Sequence, residues 1–89
     1  MRLAGRDRED VDHRAAILRT ARDIRAAVRR RRAAASEALD AYDSATGDRL
    51  MEAIAFLRAI KESDDAYAEA RASALDRYAS HFQGLRGHQ

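Results

Sequence analysis

Eighty-nine residues make one domain, near the size at which burying enough surface to fold alone becomes difficult, and about half of its 46% apolar content is alanine, which favours helix but buries little area. With no cysteine, disulfides, thiolate chemistry and Cys-based zinc sites are excluded; with no proline and only four glycines, little interrupts helix. The net charge of +2 is unevenly spread, since residues 1–35 carry eleven arginines against five acids and residues 36–89 carry six basic residues against ten acids.

The chain starts basic but has no apolar run behind that start, and no segment reaches the length of a membrane span. A soluble cytoplasmic protein without a membrane partner is therefore expected. Asp7, Glu9, Asp10 and Asp12 suit the positive end of a helix dipole, so the first helix is predicted over about residues 7–45. Steps of three and four from Ile17 reach Ala21, Ile24, Val28, Arg31, Ala35, Ala38 and Tyr42, with Val11, Leu18 and Leu39 on the flank. Only Arg31 breaks this stripe.

Residues 44–48, Ser44-Ala45-Thr46-Gly47-Asp48, are the predicted turn. Gly47 is expected in the left-handed position that ends a helix, and Asp48 as the cap of the next one. The second helix, over about residues 48–83, repeats the stripe through Leu50, Ala53, Leu57, Ile60, Asp64, Tyr67, Arg71, Ala74, Tyr78 and His81, before a mobile tail at 84–89. Two helices of about 35 residues, each roughly 50 Å long and joined by a short connection, must lie antiparallel. The expected fold is all-α: a long antiparallel helical hairpin, completed as a dimeric four-helix bundle because one hairpin leaves a side of each stripe uncovered. Ser63-Asp64-Asp65 resembles a helix start, so a three-helix bundle with a break near Ser63 is the alternative.

Several side chains are candidates for more than packing. Arg31, Asp64 and Arg71 are polar residues on the apolar stripes; if the turn centres near Thr46, Arg31 comes within a turn of Asp64, giving a seam ion pair that fixes register within the hairpin or across a dimer. Arg22, Arg25, Arg29, Arg30 and Arg32 form a ridge that suits phosphates or an acidic partner, unless the acidic second helix neutralises it. Met51 and Phe56, off the stripes, are candidate oligomer contacts. Asp10, His13 and His81 are weak metal candidates, since bundle metal sites need several inward carboxylates.

No serine or threonine sits in a glycine-rich elbow, and no glycine loop could cradle a phosphate, so neither an enzyme, a cofactor nor a small-molecule substrate is expected. Two functions compete. The first is a homodimeric protein-interaction module, as adaptor, assembly subunit, chaperone or small inhibitor; the second is a nucleic-acid-binding protein that uses the arginine ridge.

Overall fold

A computed structural model describes the backbone of residues 3–86 and the side chains of residues 10–83. It is an all-α helical hairpin of two long helices, α1 (Leu3–Ser44) and α2 (Arg49–Arg86). Against the expected 7–45 and 48–83, each is one residue shorter at the turn and longer at its far end, with residues 84–86 of the expected tail still helical and 87–89 outside the described residues. The helix is continuous through Ser63, which removes the three-helix alternative. Its hydroxyl donates to the Ile60 carbonyl at 2.9 Å, a back-bond within the helix in place of a cap on a new one.

The turn is built differently from expectation. Gly47 does not have a positive φ, so no left-handed residue ends α1. Its amide instead donates to Glu52 Oε1 at 2.6 Å, tying the turn to the first turn of α2. Asp48 does cap α2: its Oδ1 accepts from the amides of Leu50 at 2.9 Å and Met51 at 3.3 Å.

The two helices meet along a seam of small residues. Ala16, Ala27 and Ala74 are the buried core, at 1–3% exposure, and Ala34, Ala38, Ala45, Ala59, Ser63 and Ala70 extend the line. Alanine on both sides lets the helix axes approach closely, which gains backbone contact while burying little side-chain area. Ala38, Tyr42, Tyr67, Ala74, Tyr78 and His81 of the expected stripes do lie along this seam, but over Ile17–Val28 on α1 and around Leu57 on α2 the seam runs one residue before the expected stripe. Ile17, Val28 and Leu57 belong to an adjacent face, because each residue turns a helix by 100°.

Register is set by the turn. Ala45 and Glu52 are the first seam residues on either side of it, and level residues further along have numbers summing close to 98, as in Tyr42 with Phe56 and Arg31 with Tyr67. The molecule is a thin rod, with a radius of gyration of 20.3 Å where about 12 Å is usual for a compact chain of this length. Among the described residues, no helix is long and apolar enough to cross a membrane.

Candidate functional site

In an antiparallel pair, the residue one step after a seam residue points to the same side of the hairpin on both helices. On α1 this side carries Ile17, Ile24, Val28 and Leu39; on α2 it carries Leu50, Leu57, Ile60, Leu75 and Phe82. Among the described residues, nine large hydrophobics are 38–69% exposed, and six of them (Ile17, Leu39, Leu50, Leu57, Leu75 and Phe82) lie here. Val11 and Leu18 continue the surface around the outer edge of α1. Met51 points to the opposite side, away from this apolar face.

Phe56 is not a free oligomer contact, because it packs inside the hairpin with its ring centre 5.9 Å from that of Tyr42. Arg31 and Asp64 form no ion pair within the chain. The observed register sets Arg31 opposite Tyr67, and its guanidinium lies 4.2 Å from the ring centre, while Asp64 and Arg71 are exposed on the apolar face. A guanidinium stacked on an aromatic ring keeps its charge near water while its stem covers apolar surface. The polar interruption in the apolar side is thus Arg31, Arg32, Asp64 and Arg71, close to its midpoint.

The opposite side is polar. Arg22, Arg25, Arg29 and Arg30 are exposed there, as is Arg32 at the edge of the apolar side, and among the described residues none of them is in an ion pair with α2. Among the described residues, the ion pair that crosses between the helices is Arg77 with Asp23, at 3.3 Å; Arg22 makes a loose contact with the same carboxylate at 3.8 Å. The acids expected opposite the ridge are spent elsewhere or solvated. Asp65, for example, pairs with Lys61 at 2.8 Å on its own helix, and this hydrogen bond, with the carboxylate's charge, raises the lysine pKa.

At the end far from the turn, Nε2 of His13 lies 3.3 Å from the Tyr78 hydroxyl, and the His13 ring packs against Tyr78 and Phe82. His81 Nε2 is buried and makes no protein hydrogen bond. Asp10 is exposed. Among the described residues, no three His, Asp or Glu side chains converge as metal ligands.

Arg49 is a structural residue that the sequence reading overlooked. Its guanidinium stacks 4.2 Å from the centre of the Tyr42 ring and donates to the carbonyls of Tyr42 at 3.3 Å and Ala45 at 3.4 Å and to Glu52 at 3.2 Å. It thereby occupies the carbonyls left over at the end of α1, a task that a glycine cap would otherwise share. Its position just after the Asp48 cap, seven residues from an aromatic, was the available signal. No protein-family model, curated protein or solved structure significantly matches the chain.

Proposed function

We propose that this chain is a small helical protein-interaction module that works as a homo-oligomer and serves as an adaptor, assembly subunit, chaperone or small inhibitor. One observation carries this reading: both helices present their large hydrophobic residues on the same side, and the hairpin leaves that side uncovered. Scattered surface hydrophobics need no explanation, but a contiguous apolar face on a soluble chain marks a surface that something else covers. A binding role fits better than catalysis, because the described polar groups do not assemble a nucleophile with a base. A sequence without cysteine supports a reducing, cytoplasmic setting.

The test compares the wild type with Leu39→Glu/Leu57→Glu, which alters the face and leaves the alanine seam intact. Solution mass is measured by sedimentation, and proteins retained from nuclease-treated native lysate are identified. The reading expects the wild type to self-associate and the variant to lose both self-association and its retained partner. Monomeric wild type with identical retention by both proteins would refute it.

A second reading, binding to nucleic-acid phosphates, is favoured by the unneutralised ridge of Arg22, Arg25, Arg29, Arg30 and Arg32. Binding of this type weakens steeply with salt and is lost in Arg29→Glu/Arg30→Glu. Absence of duplex or single-strand retardation at low salt removes it.

A further inference from the structure

The elongated shape leaves the hairpin with more exposed surface than a compact chain of its mass, enough to accommodate an extended interface. The chain exposes 7319 Å², whereas a compact folded chain of its 10.0 kDa exposes about 5,200 Å². The excess of roughly 2,000 Å² exceeds the ~800 Å² per partner of an ordinary stable interface. A long, flat partner is needed, and a second copy of this rod has that length.

Resting on the homo-oligomer reading above, we infer that a second copy covers the apolar face about a two-fold axis parallel to the helices, with both turns at the same end and Asp64 of each copy paired with Arg32 of the other. Two face-to-face arrangements are compatible with two-fold symmetry. Their charge consequences differ.

With the axis across the helices, α1 lies on α1 of the other copy. The apolar residues of α1 run from Ile17 to Leu39, so Arg31 and Arg32, the arginines on this side, sit near the midpoint, where such an axis would pass. Four arginines, two from each copy, would be driven together, and among the described residues neither Arg31 nor Arg32 is in an ion pair that would offset the repulsion. With the axis along the helices, α1 lies on α2 of the other copy at the same level, and the two α1 helices are diagonal.

The level rule then gives the facing residues directly. Ile17 meets Phe82, Ile24 meets Leu75 and Leu39 meets Leu57, each pair summing to between 96 and 99 where the pairs within the hairpin sum to 98. Arg71, one of the two charges on this side of α2, falls opposite Val28, which sum to 99, with a side chain long enough to carry its guanidinium to the rim. Arg32 falls opposite Asp64, which sum to 96. Two exposed charges that interrupt each apolar stripe without a partner inside the chain thereby fall opposite one another. The same symmetry makes every adjacent helix pair in the bundle antiparallel.

The native chain lacks cysteine, so Thr46→Cys in the exposed turn gives one spin-label site per copy. The inferred dimer holds the two labels within roughly 25 Å, given helix spacings of 8–10 Å. The crossed arrangement separates them by about 50 Å, since Thr46 lies some 17 residues from the midpoint at 1.5 Å each.

A charge exchange completes the test. Asp64→Arg is expected to raise the dimer dissociation constant at least tenfold, and adding Arg32→Asp to return it to within about threefold of wild type. Helicity by circular dichroism confirms that each variant remains folded. A monomer at all concentrations up to 100 µM overturns the homo-oligomer reading itself. A dimer with labels near 50 Å, or with no rescue by the exchanged pair, overturns this arrangement and leaves that reading standing.

Discussion

The guanidinium of Arg31 lies 4.2 Å from the centre of the Tyr67 ring, across the two helices. This contact explains how an arginine is tolerated beside the seam without a carboxylate: the ring face supplies negative potential, and the half-buried side chain covers the edge of the alanine line. Tyr67→Leu keeps apolar bulk but removes the ring, and is expected to lower stability by about 1 kcal/mol. In an Arg31→Leu background the same change should cost about 0.5–1 kcal/mol less. Urea unfolding of the four proteins at one fixed concentration measures the coupling; additive effects would show that the stack contributes nothing.

Arg49 gives a second prediction, confined to the turn. Arg49→Ala removes the stack on Tyr42 and leaves the Tyr42 and Ala45 carbonyls without that donor, for an expected loss of about 1–2 kcal/mol. Arg49→Lys should recover less than half, because an ammonium neither stacks flat nor reaches two carbonyls with a planar fork. Denaturation midpoints decide between them, and a lysine variant equal to wild type would mean that charge alone matters.

Gly47 and Asp48 separate turn geometry from capping. Since Gly47 does not have a positive φ, alanine there incurs no left-handed strain; its Cβ would meet Glu52 Oε1 at 3.1 Å, the end of a side chain that can move. Gly47→Ala should therefore change stability by less than ~0.5 kcal/mol, the range of ordinary surface substitutions. Asp48→Ala removes two amide acceptors at the start of α2 and should cost about 1 kcal/mol. Equal losses in thermal unfolding for both variants would contradict the turn described.

How far the sequence revealed this fold follows from what each signal reports. Periodicity and the scarcity of breakers sufficed for two long helices and one turn, because helix existence is a local property. The choice of seam was not local. On α1, Ala16 and Ala27 lie one position before Ile17 and Val28, so two adjacent stripes have the same period and the larger side chains carry the stronger signal, whereas on α2 Ala74 lies on the expected stripe itself. Close approach of the backbones favoured the smaller ones. The level sum of 98 centres the turn near Arg49 and not near Thr46, which is why Arg31 meets Tyr67 and not Asp64. The arginine ridge was legible as exposed charge, but its neutralisation by α2 depended on a register that only the turn fixes.

The alanine seam itself supplies the most direct test of the fold. Ala27 is 2% exposed at the contact between the helices, beside a groove that Ala34, Ser63 and Ala70 also line, so a longer side chain there must enter the space where the two backbones approach. Ala27→Leu must push the helices apart or leave its rotamer minimum, costing about 1–3 kcal/mol even though it adds apolar area and keeps helix propensity. Ala33→Leu places the same side chain on an exposed position of the same helix, where the change should stay within ~0.5 kcal/mol. Had the large hydrophobic stripe been the seam, Ala27 would sit beside it and accept leucine without loss. The difference between the two variants in urea unfolding thus reports which stripe the helices share, and equal stability of the two would overturn the alanine seam.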